Sequence, residues 1–249
     1  MTGSKHTLVV ISYYDRRPID NLVALIKTLE THEACSPFDV CVVVNRTSDR
    51  EIHLPDFSMP VQVVYRPNLG MNIGAWDYGW RVNSGYQYYL FLQDECYAIR
   101  EQWLSSFKRK LAETSVGLVG ESLNSNWDRS WNQLRVEQEK IVMPEHEING
   151  KRVNRVDFYL NFLRGQHTSA GATGRHMRSL VWFLGVGTLE KINGFPIGRN
   201  YGECIAAEIT VRKKVESLGL SIVQVDAQPF SYFRHVEWNQ DCAGAPFTH

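Results

Sequence analysis

The sequence predicts an α/β fold in which a mostly parallel central sheet is covered by helices on both faces. Short β-branched runs alternate with segments of helical periodicity along the first half of the chain. These runs are apolar at consecutive positions, as expected for strands that are buried on both faces of a sheet. With 249 residues, of which 43% are hydrophobic and 22% charged, the chain has an ordinary composition for one large domain or a domain with an appendage.

The predicted strands share one form, an apolar run that stops at a turn or at a polar cluster. They cover residues 7–12, 38–45, 61–66, 88–93, 116–121 and 220–225. Polar clusters follow three of them, at residues 13–16, 45–49 and 93–95. Ligands of parallel sheets bind beyond the carboxyl ends of the strands, which lie at one edge. We therefore expect these three clusters to converge on a single ligand.

Helical periodicity fills most of the intervals between the strands. Apolar residues recur at helical spacing in residues 19–32, and residues 101–114 are amphipathic. A helix over 76–82 follows a glycine-rich segment, and a long helix over 204–219 ends at Gly219 as its C-cap. Residues 124–174 are polar and irregular, which predicts a flexible loop region or an inserted, partly helical lid.

Charge, cysteine content and missing motifs argue against several functional classes. Lys plus Arg equals Asp plus Glu at 27 each, so the zero net charge gives no support to a nucleic-acid partner. Five cysteines without CxxC spacing disfavour a disulfide framework or a structural zinc site, and we expect a cytoplasmic protein. No apolar run is long enough for a membrane span, although peripheral membrane contact stays compatible with the sequence. The GxGxxG fingerprint after the first strand and the Walker A motif are missing.

An acidic pair stands directly after the predicted strand that ends at Gln93. Asp94 and Glu95 are adjacent carboxylates, which repel each other and are costly to bury without a cation, a basic partner or solvent. One interpretation is that they are ordinary solvated loop residues. The other is a hard-cation site, because carboxylate oxygens suit Mg²⁺ or Mn²⁺ bridged to a diphosphate.

Six segments, taken in chain order, resemble the GT-A glycosyltransferases, specifically the family 2-like group that uses nucleotide-activated sugars. They resemble that family's first strand and helix, its nucleotide-contacting second strand, its Asn-x-Gly segment, its aspartate-rich metal motif, its acceptor element and its general-base helix. The segments are "LVVISYYDRRPIDNLVALIKTL", "VCVVVNRTSD", "RPNLGMNIGAWDYGW", "YYLFLQDEC", "LGVGTLEKINGF" and "AAEITVRKKVESLG".

The resemblance implies a single GT-A-like (Rossmann-like) domain that moves a sugar from a nucleotide-diphosphate sugar to a hydroxyl of a glycan or glycolipid. It also implies a divalent metal, Mn²⁺ or Mg²⁺, and an inverting reaction with Glu208 as catalytic base. The implied metal ligands are Asp94, Glu95 and His235. The implied donor-binding residues are Ser12, Tyr13, Tyr14, Arg16, Asn45, Arg66, Asn68, Gly70, Asp77, Gln93 and Asp94.

Three positions depart from the family pattern. Gln93 replaces the first carboxylate of the metal motif, Asn45 stands where an acidic residue usually reads the nucleobase, and Ala207 precedes Glu208 in place of a second acidic residue. These departures keep a catalytically silent sugar- or nucleotide-binding module open as an alternative. A sugar-phosphate nucleotidylyltransferase is a weaker alternative, because "SYYDRRP" lacks the glycine-rich phosphate loop that such an enzyme needs.

The same reasoning divides the chain into three parts. Residues 1–122 form the expected donor-binding half, 123–178 the irregular insert or lid, and 179–249 the acceptor and catalytic half.

Several single residues have two possible interpretations each. Three tryptophans either stack on an acceptor sugar or pack in the core: Trp127, Trp131 and Trp182. Diphosphate binding or surface exposure would explain Arg234, and the alternatives to Glu208 as base are Glu203 and Asp241.

Overall fold

The computed structural model describes residues 5–237. Its strands are β1 (Lys5–Tyr14), β2 (Asp39–Arg46), β3 (Val61–Pro67), β4 (Tyr86–Gln93), β5 (Cys96–Ala98), β6 (Val116–Gly120), β7 (Glu147–Ile148), β8 (Lys151–Arg152), β9 (Val181–Gly185), β10 (Ser221–Gln224) and β11 (Phe233–His235). Seven of them form a central sheet in the order β10-β6-β9-β4-β1-β2-β3. All neighbours in this sheet are parallel except the pairs that β9 makes with β4 and β6. The predicted α/β class and mostly parallel sheet are confirmed.

Helices cover both faces of this sheet. They are α1 (Asp20–Thr31), α2 (Met71–Val82), α3 (Trp103–Leu111), α4 (Trp131–Glu137), α5 (Arg155–Gly165), α6 (Val186–Lys191) and α7 (Tyr201–Ser217), with a short 3-10 helix at Ser125–Trp127. Among the helices of residues 5–237, none is long and apolar enough to cross a lipid bilayer.

Two hydrophobic clusters lie on opposite faces of the sheet. On one face Val9 of β1 belongs to the same cluster as Leu25 of α1 and Phe107 of α3. On the other face Val10 belongs to the cluster that contains Trp76 of α2 and residues of α7. Successive side chains of a strand point to opposite faces, so a run that is apolar at every position can serve both layers. Each large side chain buried in this way contributes about 1.5–3 kcal/mol of transfer free energy.

The segment predicted to be either a flexible loop region or a partly helical insert contains regular elements and a third hydrophobic cluster. The 3-10 helix, α4, the β7–β8 hairpin and α5 all lie within residues 123–178. Trp127 and Tyr159 of this insert cluster with Ala206 and Ile209 of α7, while Ala207 faces the sheet. Helix α7 is thus buried on two sides, between the sheet and the insert. That the insert acts as a lid stays a prediction.

Two helices begin earlier than their sequence patterns predict. Helix α2 starts at Met71 instead of residue 76, and it follows Gly70, whose φ of 75° lies in the left-handed region that favours glycine. A side chain at Gly70 would also meet Ile197, because an added Cβ would lie 2.8 Å from its Cγ2 atom. Helix α7 starts at Tyr201 because the Asn200 side chain accepts a hydrogen bond from the Glu203 amide at 2.9 Å, which caps the helix.

A small second sheet lies beside the carboxyl end of β4. Strand β5 follows the acidic pair and pairs antiparallel with β11, so that His235 lies opposite Cys96. Glu121 holds the segment before β11 in place. Its Oε1 accepts hydrogen bonds from the amides of Tyr232 at 3.0 Å and Phe233 at 2.8 Å, and its Oε2 accepts one from the Ser231 amide at 2.9 Å.

Candidate active-site cavity

The three polar clusters that follow the strands lie at one edge of the sheet, as predicted. In the strand register Ser12 lies opposite Gln93, and Tyr14 lies opposite Asn45. Asn45 lies in turn opposite Arg66 of β3. The edge is therefore lined by the ends of four neighbouring parallel strands, the arrangement that forms ligand sites in open α/β sheets.

The antiparallel strand β9 adds its amino end to this edge. Leu92 pairs with Val181, so the residues just before β9 lie beside the carboxyl end of β4. The carbonyl oxygen of Ser179 accepts hydrogen bonds from Gln93 Nε2 and from Asn72 Nδ2, both at 2.7 Å. These bonds connect β4, α2 and the segment before β9.

A cavity of about 560 Å³ opens at this edge and extends to helix α7. We call the part near Ser12, Asp94 and Glu95 the sheet-edge end, and the part near Tyr159 and Glu208 the helix end. The predicted residues that line the cavity are Ser12, Tyr13, Tyr14, Arg16, Asn45, Asn68, Gln93, Asp94, Glu95, Glu208 and His235.

Three predicted donor-binding residues do not belong to the lining among residues 5–237. Arg66 donates hydrogen bonds to Asn45 Oδ1 at 2.8 Å and to the Leu69 carbonyl at 2.7 Å. Gly70 shapes the start of α2, as described above. The side chain of Asp77 is paired with Arg81 at 2.8 Å and accepts the Phe195 amide at 2.8 Å. These residues hold the walls of the cavity in place.

The loop after β1 is held by contacts with the loop after β2. The Asp15 carboxylate accepts the Thr47 amide at 2.7 Å, and Arg16 Nε donates to the Thr47 hydroxyl at 3.0 Å. The Tyr13 hydroxyl donates to the Arg17 carbonyl at 2.7 Å, and its ring packs in the core. The Tyr14 ring is half-buried at the cavity wall. Of the two tyrosines, Tyr14 is thus the more open to a ligand.

The acidic pair is buried, and its two carboxylates differ in their partners. Asp94 is 5% exposed, and its Oδ2 atom has no hydrogen-bond partner among the described residues. Burial and the charge of Glu95 raise the pKa of Asp94 to about 7. Glu95 is paired with the Arg17 guanidinium and lies beside His235. The proximity of His235 and Arg17 holds the pKa of Glu95 below its usual value.

His235 orients one ring nitrogen toward this pair. Its Nδ1 atom accepts the Glu237 amide at 3.1 Å, so the neutral ring carries its proton on Nε2. Nε2 lies 3.4 Å from Glu95 Oε2, too poorly aligned for a strong hydrogen bond. In this hydrogen-bonding state Nε2 faces Glu95 as a donor, whereas metal ligation by the same nitrogen would require it to be free of the proton. A ligand role for His235 stays a prediction.

The sheet-edge end fits a divalent cation that is shared with a phosphate-bearing ligand. Mg²⁺ and similar ions are often held by one or two carboxylates plus substrate phosphates, without an all-protein cage. Within residues 5–237 no group of three or more His, Cys, Asp or Glu side chains is arranged to hold a metal alone. The unpartnered Oδ2 of Asp94 and the neighbouring Glu95 supply two such carboxylates.

The helix end contains Glu208, whose side chain is 17% exposed and lines the cavity. Ser179 Oγ donates a short hydrogen bond to Oε1 of Glu208, and Nε2 of His176 lies 3.4 Å from Oε2. Burial raises the pKa of Glu208 to about 7, although the Ser179 hydroxyl and the nearby Arg178 charge oppose this shift. A carboxyl that titrates near neutral pH can accept a proton from a ligand hydroxyl.

Aromatic side chains surround this end of the cavity. Trp127, Tyr159 and Tyr201 line it, and the Arg155 guanidinium lies 5.4 Å from the Trp127 ring centroid. Trp127 and Tyr159 are buried in the third hydrophobic cluster, whereas Tyr201 is 56% exposed and can present its ring to the apolar C–H face of a sugar. All three candidate tryptophans pack in hydrophobic clusters, Trp127 and Trp131 in the insert and Trp182 of β9 against Trp76 of α2.

Several residues of the lining were not found by sequence reasoning. Arg17 follows the predicted contact Arg16 and lines the cavity, although the sequence did not indicate it. Arg234, a candidate diphosphate contact, is exposed and lies outside the lining. The carboxyl ends of parallel strands indicate the edge at which a ligand binds. They do not indicate side chains at the amino end of an antiparallel strand such as β9. The lining residues missed in this way or in the insert include Asn124, His176, Arg178 and Ser179.

The two alternative bases can be compared with Glu208. Glu203 lies on the same helix, but it is paired with Arg199 at 3.1 Å and does not belong to the lining. Asp241 lies outside the described residues. Among the described candidates, Glu208 is the one that faces the cavity.

Comparison with known proteins gives a likeness at the level of fold. No protein-family model matches the chain, and no curated protein matches it significantly in sequence. The structure is similar to that of the mannosyltransferase PcManGT from Pyrobaculum calidifontis in complex with GDP-Man and Mn²⁺, with a TM-score of 0.54 and 14% sequence identity. The match covers 90% of this chain and 55% of that protein, so the chain spans about half its length. At this identity the likeness shows a shared fold.

Proposed function

We propose that the chain is a glycosyltransferase that moves a sugar from a nucleotide-diphosphate sugar to a hydroxyl group of a glycan or glycolipid. One observation carries the proposal: a single cavity connects a carboxylate pair at the strand ends with a carboxyl on α7 whose pKa is raised to about 7. Sugar transfer needs both, a place for the diphosphate and a base for the attacking hydroxyl. The fold shared with a GDP-Man-bound mannosyltransferase supports the same assignment.

The sheet-edge end is suited to the nucleotide diphosphate. Asp94 and Glu95 would hold Mn²⁺ or Mg²⁺, which when bound neutralises charge on a diphosphate leaving group. Arg16 and Arg17 lie on the same side of the cavity and supply positive charge toward phosphate oxygens. Tyr14 offers a half-buried ring against which a nucleobase can pack.

The helix end is suited to the acceptor and to its proton. In the proposed reaction the acceptor oxygen forms a bond to the anomeric carbon while the bond from that carbon to the diphosphate oxygen breaks. The hydroxyl proton passes to the Glu208 carboxylate, and the electron pair of the broken bond leaves with the diphosphate. A base opposite the leaving group supports single displacement, so the reaction inverts the configuration of the anomeric carbon.

The first experiment measures thermal stabilisation by nucleoside diphosphates and their sugar conjugates, each with and without Mn²⁺. We expect one nucleotide to raise the melting temperature more with Mn²⁺ than without, because ligand binding to the folded state stabilises it. Asp94→Asn should abolish the metal-dependent part. Asp226→Asn is the matched control, since Asp226 is a partly exposed carboxylate outside this cavity.

The second experiment measures donor consumption for the nucleotide sugar that binds. An active enzyme should release nucleoside diphosphate in the presence of a hydroxyl acceptor. Metal-dependent binding with no sugar transfer or hydrolysis across a panel of acceptors would point to the silent binding module instead. Failure of every nucleotide and nucleotide sugar to bind would overturn the proposal.

A further inference from the structure

A buried histidine stands directly behind Glu208. His176 is 1% exposed, and its ring packs 6.0 Å from the Trp127 ring, between centroids, in an edge-on arrangement. Its Nε2 atom lies 3.4 Å from Glu208 Oε2, on the opposite carboxyl oxygen from the one that Ser179 contacts. Each carboxyl oxygen of Glu208 therefore has one protein neighbour: the Ser179 hydroxyl at Oε1 and the His176 imidazole at Oε2.

The hydrogen bonds of His176 determine which of its nitrogens can accept a proton. Nδ1 lies 2.9 Å from the Gly174 carbonyl oxygen, which accepts only, so Nδ1 carries the hydrogen. In the neutral ring the lone pair is then on Nε2, the nitrogen that faces Glu208. Burial lowers the pKa of His176 to about 4, which favours this neutral form.

Asn124 contacts the same nitrogen. Its Nδ2 atom lies 3.3 Å from His176 Nε2 and can donate to the lone pair, while its Oδ1 atom is buried without a hydrogen-bond partner among residues 5–237. Rotating the amide by half a turn exchanges the donor for the acceptor. Because Nε2 has one lone pair, its hydrogen bond from Asn124 and a hydrogen bond from a protonated Glu208 are alternatives: Nε2 accepts from Asn124 while Glu208 is ionised and from Glu208 once Glu208 is protonated.

An ionised Glu208 and a lone pair on Nε2 repel each other, whereas a protonated Glu208 can donate to that lone pair. A histidine in this state therefore favours the protonated carboxyl. This effect makes Glu208 a stronger base toward a hydroxyl, because proton transfer replaces a repulsive contact between Oε2 and Nε2 with an attractive one.

We propose that His176 is a positioning residue for Glu208, accepting on Nε2 the hydrogen bond of the proton that Glu208 takes from the ligand hydroxyl. The pair takes up one proton as a unit. The hydroxyl O–H bond breaks, an O–H bond forms on Glu208, and the new proton lies between Oε2 and Nε2. This inference deepens the proposed function and rests on it for the source of the proton, although the pairing itself can be tested without substrate.

Other ionisable groups face His176 and Glu208 from each element that packs against them. These groups are the same in the wild type and in Glu208→Gln. They are Tyr159 on α5, Arg178 before β9, and Tyr201, Cys204, Arg212 and Lys213 on α7.

The first test is a titration of the histidine rings by nuclear magnetic resonance with ¹⁵N-labelled histidine. The chain has eight histidines, so the His176 signal is identified by its loss in His176→Gln. We expect the Nε2 signal of His176 to change with a midpoint near pH 7 in the wild type, as Glu208 loses its proton. In Glu208→Gln this inflection should vanish. The His146 signal is an internal control, since His146 is buried in the same insert and does not line the cavity.

The outcome of this titration is independent of any sugar transfer. A His176 signal that keeps the same pH dependence in Glu208→Gln would overturn the inference, even if the enzyme is active. A coupled titration in a protein that turns over no nucleotide sugar would preserve the pairing and refute the proposed function instead. The pH comparison uses wild type and Glu208→Gln, and His176→Gln has to fold only for the assignment of the signal at a single pH.

The second test is the pH dependence of kcat in two His176 variants. His176→Phe keeps a ring but removes the acceptor, so the acidic limb should move to lower pH and kcat should fall about tenfold, as expected for a weaker base. His176→Gln can present an oxygen to Glu208 and should restore most of the loss. A folded His176→Phe protein with an unshifted acidic limb, whatever its kcat, would mean that His176 serves packing alone.

Discussion

The two ends of the cavity each contain a buried carboxyl group with a pKa raised to about 7, but their surroundings are opposite in character. Asp94 stands beside a second carboxylate and near the Arg17 guanidinium, so the sheet-edge end contains several full charges. Glu208 is contacted by a hydroxyl and by a histidine whose lowered pKa keeps it neutral. The first environment suits a charged ligand, and the second suits the exchange of a proton.

Burial raises the pKa of the carboxyl at both ends of the cavity, but at the sheet-edge end the charge of Glu95 raises it further. Like charges at the sheet-edge end are tolerable only with cations nearby, which favours binding of an ionic group there. At the helix end desolvation alone raises the pKa, so the group stays poised to gain or lose a proton near neutral pH. Substitutions at the two ends of the cavity test this contrast.

Removing the basicity of Glu208 should have the largest effect. Glu208→Gln keeps the shape and the hydrogen-bonding reach of the side chain, so turnover should fall by about 10²–10⁴-fold while donor affinity hardly changes. Steady-state kinetics under conditions limited by chemistry, together with calorimetry of donor binding, measure the two quantities.

Glu203→Gln is the matched control for this variant. Glu203 lies on the same helix with its side chain 11% exposed, but it is paired with Arg199 outside the cavity. Its replacement should leave turnover near the wild-type value. If Glu208→Gln retained more than about a third of wild-type turnover, Glu203 or Asp241 would have to be tested as the base.

The same variant should change how stability depends on pH. The pKa of Glu208 is higher in the folded state, about 7, than the ordinary value of 4.5, so the unfolded chain binds fewer protons between these values. Its contribution to stability is therefore lost as pH rises through this window. Glu208→Gln should gain stability relative to the wild type from pH 5 to pH 8, by up to about 3 kcal/mol. Urea unfolding at both pH values measures the gain, and a gain that is equal at both would contradict the raised pKa.

Amide substitutions at Asp94 and Glu95 should change the free energy of unfolding in opposite directions. Asp94→Asn should stabilise the protein at pH 8, because it removes a buried charge whose pKa is raised. Glu95→Gln should destabilise it by about 1 kcal/mol or less, because a largely exposed Arg17 loses its partner. Glu95 has a lowered pKa, so its contribution is present at neutral pH and is lost as pH falls through that lowered value. Unfolding free energies that change in the same direction in both variants would remove the contrast within the pair.

Ligand binding should slow amide exchange in residues 123–178. If the insert is a lid, its backbone amides should exchange a few-fold more slowly with donor bound, because binding shifts the population toward the closed state. Amides of β1 and β2, which lie in the core of the sheet, are the internal reference. Exchange that is equally slow with and without donor would show that the insert is a fixed wall of the cavity.

The insert also contains a local sequence signal for one of its elements. Asn149 and Gly150 connect β7 to β8, with φ values of 51° and 76°. Asn-Gly between two short extended segments is a strong hairpin signal, because both central residues of such a turn need positive φ. The polar composition of the surrounding residues obscures the hairpin signal. Helix α5 also has a local signal, because Val156, Tyr159, Leu160 and Leu163 recur at helical spacing after the capping residue Asn154.

Sequence patterns alone predict the parallel strands of the central sheet, the helices α1, α2, α3 and α7, and the edge at which the site lies, but not the antiparallel strand β9 or the short strands outside the central sheet. This is possible because periodicity and apolar runs are local properties, and because parallel strands necessarily share a carboxyl edge. It also indicated Asp94, Glu95 and Glu208 individually. Only the tertiary structure decided which groups touch them. His176 meets Glu208 across 32 residues, and the pKa of each carboxyl depends on burial and on neighbours that no local pattern specifies.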